Sequence, residues 1–192
     1  DAFEKNEYGA ARNAIERFFW HDFCDNYLEL IKNQLFNPAH YSPEMVASTQ
    51  KVLRIVGLKI LQMYAPYVPF VTESIYRQLY ATHEKDSIHT TLFKNVQKQY
   101  MFEQSWYDII HVLTIVDQIR KLKSEHRLSL KAEISTIVVV GASEKLERVM
   151  KHEQILKGVT HAVSIVPGNN NSIEKPTLIT QDVIFTAYVI LA

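Results

Sequence analysis

From Ala2 to about Leu35 the chain carries apolar residues at helical spacing on two successive stripes. Tyr8, Ala11, Ile15 and Phe18 recur three and four apart, the spacing that puts side chains on one helix face. Trp20, Cys24, Tyr27, Ile31 and Leu35 then keep that spacing on a different face. A helix apolar on two sides, or one bent near Phe19 to His21, hides both stripes only among several neighbouring helices. This feature alone demands a helical bundle. At 192 residues, 47% of them hydrophobic, the chain is long enough for one good core, or one core with a small satellite domain.

The next elements follow from helix punctuation. Ser42 offers a hydroxyl to cap free amides, and Pro43 suits a first helical position because its missing N–H costs nothing there. The helix this predicts buries Thr49, Leu53, Val56, Ile60 and Met63, turns Lys51, Arg54 and Gln62 to another side, and ends at Pro66. Pro69 opens a third helix through Val71, Ile75, Tyr76 and Leu79. A fourth spans roughly Glu103 to Glu125, with Trp106, Ile109, Val112, Val116, Ile119 and Leu122 inward and a basic cluster at its C-terminal end, where cations suit the helix dipole. Beyond it the composition changes. Ile134 to Val140 is a β-branched strand, Ser143 to Lys157 a helix capped by Ser143 and ended by Gly158, and His161 to Val166 and Asp182 to Leu191 are strands separated by a polar loop at Gly168 to Ser172. The expected architecture is mainly α: a helical bundle over residues 1–100, a long helix and basic connector over 101–132, and a small α/β subdomain of order β-α-β-β over 133–192.

Several function classes find no support. The five glycines are scattered and make no phosphate-cradling loop. The eight histidines include no pair three or four apart on a helix, and with one cysteine there is no zinc set, so no metal site is expected. Glu144 and Glu147 fall early in a helix, where the dipole explains them, and His21 beside Asp22 reads as an exposed or capping residue. No catalytic residue is assigned. Cys24, within an aromatic run, is expected as a small buried hydrophobe, and Phe18, Phe19, Trp20 and Tyr27 are expected in the core. The longest apolar run, Val183 to Leu191, is far short of the roughly 20 residues of a membrane span, so no membrane partner is expected, and a chain without a signal-like start is expected to be cytoplasmic.

Charge distribution says more than its sum. The formal net charge is zero, unusual for a standalone nucleic-acid binder. Yet Arg120, Lys121, Lys123, Arg127 and Lys131 face a single acid, Glu125, between Gln118 and Lys131.

Three stretches carry a family resemblance. Glu16 to Lys32, with Phe19-Trp20, Phe23-Cys24-Asp25 and Tyr27-Leu28-Glu29, closely resembles the signature of the anticodon-binding bundle in valyl-tRNA synthetases. Ala65-Pro66-Tyr67-Val68-Pro69-Phe70-Val71-Thr72-Glu73 is similar to a segment joining two bundle helices across the wider class I subclass. Ile119 to Lys131 is similar to the basic segment that follows the bundle. Asn26 stands where many members carry Trp, and the class signatures His-Ile-Gly-His and Lys-Met-Ser-Lys-Ser do not occur.

The resemblance implies a fragment of a longer ligase, inactive alone, whose missing catalytic domain would use ATP and magnesium to attach valine to its tRNA. It implies the valine tRNA anticodon stem-loop as partner, together with the parent's own catalytic domain. Valine anticodons share an A and a C, and loop bases are read by splaying them onto aromatic or guanidinium planes while cations hold the phosphates. Lys32, Lys51 and Arg54 are the bundle candidates for the stem-loop, and Arg120, Lys121, Lys123 and Arg127 are candidates for the tRNA backbone. Two alternatives stand beside this: a non-catalytic module that braces a neighbouring domain or protein, and the equivalent domain of an isoleucyl- or leucyl-type synthetase.

Overall fold

The structure is a computed structural model that describes residues 2–92, 101–168, 178–181 and 185–191. It divides into two compact units, Asp1–Gln97 and Lys98–Ala192. The expected polar loop from residue 169 onward, and the first residues of the expected last strand, lie outside the described residues.

In the first unit, α1 (Tyr8–Arg17) runs directly into a π-helical stretch (Phe18–Leu28) and on into α2 (Glu29–Phe36). A π-helix bonds each N–H five residues back instead of four, which rotates the side chains out of phase with an α-helix. The two apolar stripes of the sequence are the trace of that change. Ala11, Leu30 and Ile31 are buried, whereas no residue of the π-helical stretch is. The expectation of an aromatic core is corrected here: Trp20 is 60% exposed, and Phe18 and Tyr8 are exposed too. Phe19, Phe23 and Tyr27 are half-buried and stack in sequence, with centroids 6.3 and 5.8 Å apart, and Phe19 sets its edge on Tyr64 of the next helix at 5.6 Å. Cys24 is also half-buried instead of buried; desolvation and then the nearby Asp25 raise its pKa, so little reactive thiolate forms.

α3 (Pro43–Tyr64) begins as its sequence requires, with Ser42 Oγ accepting from the Met45 N–H at 3.2 Å and Pro43 in the first turn. Buried Thr49 donates to buried Gln34 Oε1 at 2.6 Å, which ties α3 to α2. Gln62 is another correction. It is buried, accepting from Lys59 Nζ at 3.0 Å and donating to Thr91 Oγ1 at 2.9 Å, so an amide with both ends paired sits inside the unit. α4 (Pro69–Leu79) packs on α3 through Ala65, Tyr76 and Ile88, flanked by Leu58, Leu61, Tyr80 and Ala81. Of the apolar residues expected inside α4, Val71 and Leu79 are exposed. One carboxylate locks this corner: Glu73 accepts from Arg77 Nε at 2.6 Å, Ser87 Oγ at 2.9 Å and the Ile88 N–H at 2.9 Å. Partial desolvation pushes the Glu73 pKa up, but bonds from the Ile88 amide, Arg77 and Ser87 outweigh it and hold the group below the ordinary range.

The second unit is a helix-backed sheet. α5 (Glu103–Glu125) buries Val112, Ile115, Val116, Ile119 and Leu122 and packs against the sheet strands, although Trp106 near its start is 63% exposed and not core. After β1 (Ile134–Gly141) the expected single helix is two, α6 (Ser143–Met150) and α7 (Glu153–Thr160), with Lys151 and His152 between them. Ser143 is inside α6 and makes no cap. α7 continues through Gly158 to end at His161 in the left-handed region, φ 57°. β2 (Ala162–Pro167), β3 (Leu178–Gln181) and β4 (Phe185–Leu191) complete a mixed sheet of order β2-β1-β4-β3, parallel between β1 and β2 and antiparallel elsewhere. The β-α-β-β order of the sequence reading is therefore met with two differences: its helix is divided, and a further strand, β3, precedes the last one. Ile134, Ile137 and Val139 of β1 and Phe185, Ala187 and Val189 of β4 form the strand side of the core.

Lys123 joins three pieces of this unit. It is 1% exposed, and its ammonium donates to Leu130 O at 3.0 Å, Ala132 O at 2.7 Å and Thr160 O at 2.8 Å. Burial lowers its pKa, but each of its three protons has a carbonyl to meet.

Two outcomes follow. Because the folded Glu73 pKa lies below its unfolded value, its contribution is complete above the unfolded pKa of about 4.3 and is lost as pH falls through the folded one. Glu73→Gln is therefore expected to lower the thermal midpoint of the first unit at pH 7, with the gap to the parent closing below about pH 4. Lys123→Met orphans three carbonyls and is expected to cost the second unit roughly 2–4 kcal/mol in urea unfolding.

Candidate nucleic-acid interface

Cations useful to a polyanion must be exposed and not already neutralised. In the first unit Lys32 is exposed but bonded to Glu29 at 2.8 Å, one turn back on α2. Lys51 and Arg54 lie three apart on α3 and both are exposed. Among the described residues neither has a carboxylate at ion-pair distance. The Arg54 guanidinium lies over the Tyr80 ring, 5.1 Å from its centroid. Stacking of that kind fixes the plane of the guanidinium while leaving its edge donors open.

The platform is built from several sides. Tyr80 stacks on Tyr76 at 6.2 Å, and burial raises its pKa while Arg54 pulls the other way. Its hydroxyl end reaches α3 at Gly57, where a Cβ would come within 2.6 Å of the oxygen. Gly57 thus makes room for the ring that carries Arg54. Composition gave no hint of this pairing, because Gly57 and Tyr80 sit on different elements and look unrelated in the sequence. Trp20 is the other surface feature that the sequence reading missed; its helical spacing is that of a core residue, and only the change to π-helical bonding exposes it.

The basic cluster of the second unit separates on inspection. Lys123 is corrected from a backbone contact to an internal strut: its charge is spent on three carbonyls and it has no surface to offer a phosphate. Arg120 is half-buried, 3.9 Å from Asp117, and Lys121 is exposed, 4.0 Å from Glu125, both pairs at the outer limit of contact and weak in water. Arg127 is exposed and occupies the left-handed position that follows α5, φ 56°, with its own N–H on Ser124 O and the Leu128 N–H on Lys123 O. Glycine usually takes that place, so an arginine there carries a backbone cost at the helix end.

Among the described residues no helix is long and apolar enough to cross a membrane, and no group of three His, Cys, Asp or Glu stands together as a metal cage would need. The arrangement is one of cationic and aromatic planes on a helical support, suited to holding a polyanion with exposed bases.

Comparison with known proteins agrees with that chemistry. The profile described as the anticodon-binding domain of tRNA ligase matches residues 1–139. The chain is 35% identical over 178 residues to the valine–tRNA ligase of Ehrlichia ruminantium strain Gardel, covering 90% of this chain and 21% of that protein. It is 32% identical over 169 residues to the valine–tRNA ligase of Picrophilus torridus, covering 87% of this chain and 20% of that one. With the valine–tRNA ligase of Orientia tsutsugamushi it shares 37% identity over 149 residues, 74% of this chain and 17% of the other. The chain spans about a fifth of the length of these relatives. A profile match over most of the chain, on a helical unit with open cationic planes, shows that the chain belongs to the anticodon-binding domain family of tRNA ligases.

Proposed function

We propose that this chain holds the anticodon arm of valine tRNA for a valine–tRNA ligase, of which it forms the anticodon-binding part. The observation that carries the proposal is the open pair Lys51 and Arg54 on α3, with Arg54 stacked on Tyr80. Lys51 would hold a phosphate of the stem-loop, and Lys32 would do so only by giving up its exposed pairing with Glu29. The Arg54–Tyr80 stack, with exposed Trp20 in the same unit, offers the planes on which unpaired loop bases can lie. In the second unit Arg120, Lys121 and Arg127 would contact the RNA backbone. Activation of valine with ATP and magnesium belongs, in this reading, to the catalytic domain of the parent ligase, and no step of it is assigned to residues of this chain. The names of the relatives support valine over another amino acid.

A bracing role has its own support. Met101, Phe102, Trp106 and Tyr107 are all exposed around the start of α5, more apolar surface than a solvated helix end needs. The two readings part company in one titration. Replacing Lys51 and Arg54 together by Glu is expected to weaken binding of a valine anticodon stem-loop by about tenfold or more at low salt and to flatten its salt dependence, with helical circular dichroism unchanged. Unchanged affinity in the folded double variant would count against RNA holding by the first unit and favour the bracing reading.

A further inference from the structure

The first unit carries a second kind of surface, at the end of α3 where the chain turns into α4. Arg54 and Lys51 lie roughly 15 and 20 Å back along the helix from that end, at about 1.5 Å per residue. Phe70, in the first turn of α4, is 89% exposed, the highest value for a large apolar side chain among the described residues, and Val68 and Val71 beside it are exposed too. Phe3 and Tyr8, both exposed, stand at the same end. Tyr67 ties them to the turn: its hydroxyl donates to Tyr8 O at 2.8 Å, its ring meets Phe3 edge-on at 6.4 Å, and Phe3 meets Tyr8 at 5.1 Å. None of these six side chains carries a charge at neutral pH.

The corner is braced. The Tyr67 and Val68 N–H groups both donate to Tyr64 O at 2.9 Å, and the Thr72 N–H donates to Val68 O at 3.2 Å. Thr72 is buried and sets its hydroxyl 3.0 Å from Val68 O and 3.1 Å from Pro69 O. Pro66 and Pro69 each fix a backbone angle, and Glu73 ties the next turn to Ser87 and the Ile88 amide. An aromatic ring held out on so fixed a backbone gives up little freedom on docking, which is the condition for a strong contact residue.

Charge and area say what fits there. A surface without a cation gives a polyanion nothing to hold, so the RNA that suits the flank of α3 does not suit its end. At about 200 Å² per aromatic side chain, the five exposed residues offer on the order of 500 Å². Two free proteins that pair stably bury about 800 Å² each, whereas domains of one chain settle on about 600–1,500 Å² in total, which this surface can supply half of. The relatives leave room for such a domain, since this chain spans about a fifth of their length.

We propose that this corner is where the first unit docks on another domain of the longer ligase, with Phe70 seated in an apolar, uncharged pocket of that domain. The inference rests on the reading of this chain as part of a longer ligase and adds where the two meet. Cations on the flank of α3 serve the RNA, and the apolar corner at its end serves the ligase body. A rigid joint there holds the RNA-binding flank at a set position relative to the rest of the enzyme.

The test is thiol labelling at Phe70→Cys, with Val71→Cys as a second site and exposed Ser48→Cys on α3 as control, all in a Cys24→Ser background. Each variant is made in this chain alone and in the full-length ligase, and the labelled peptide is followed by mass spectrometry without tRNA. Both corner side chains already lie in water, so circular dichroism is expected to match the parent in every variant. Expected is rapid labelling of both corner sites in the chain alone and labelling about tenfold slower or more in the ligase, as for a joint that opens only transiently, with Ser48→Cys equal in both. Equal rates at the corner in chain and ligase overturn the proposal. So does protection in the chain alone that grows with its concentration, which assigns the corner to a second copy, or protection in the ligase that needs added tRNA, which assigns it to RNA. The labelling does not depend on Lys51 or Arg54. If the corner proves open, loss of stem-loop affinity on reversal of those two still upholds the RNA reading; a protected corner stands even where that affinity is unchanged.

Discussion

Where a helix changes its hydrogen-bonding step from four residues to five, it cannot keep one apolar face. In this chain the change begins at Phe18 and lasts to Leu28, and the first unit is arranged around it. Before it, Ala11 faces inward; after it, Leu30, Ile31 and Gln34 do. Between them, three aromatic rings stack along the half-buried side and Trp20 is turned outward. The same backbone step that lets α2 dock on α3 therefore puts an indole on the surface. Packing and the exposure of an aromatic plane share one cause here.

Polar locks hold what the apolar core leaves loose. Glu73 gathers Arg77 of α4 with Ser87 and the Ile88 amide of the segment beyond it, and Lys123 gathers two carbonyls of one loop and a third at a helix end. Each is satisfied on every side that matters, which is the condition for a buried or half-buried charge to stabilise instead of strain. Lys123 and Lys121 differ sharply on one helix. Two residues apart, one is buried on carbonyls and the other is exposed beside Glu125.

The sequence disclosed the elements that rest on local chemistry. Ser42 and Pro43 at the start of α3, Pro69 at the start of α4 and the limits of α5 came directly from capping and periodicity. What it hid depended on partners distant in the chain. Lys123 looked like its basic neighbours because nothing local marks the carbonyls of Leu130, Ala132 and Thr160 that take its charge. Gln62 read as surface because amides usually are, and its two partners lie at Lys59 and Thr91. Trp20 read as core because an α-helical period was assumed through a π-helical stretch. The short strand β3 had no signal of its own beside the polar residues near it. Lys51 and Arg54 were legible as cations, but the Tyr80 platform under Arg54 was not.

The central claim is that this chain reads the anticodon arm of valine tRNA and does not merely hold RNA by charge. Competition between two anticodon stem-loops tests it most directly. One carries the A and C shared by valine anticodons; in the other those two bases are exchanged for different ones, with stem, length and salt held constant. The account predicts that the valine loop binds about tenfold tighter or more, since each lost set of base-edge contacts is worth roughly 1–3 kcal/mol. Equal affinity for the two loops would contradict it.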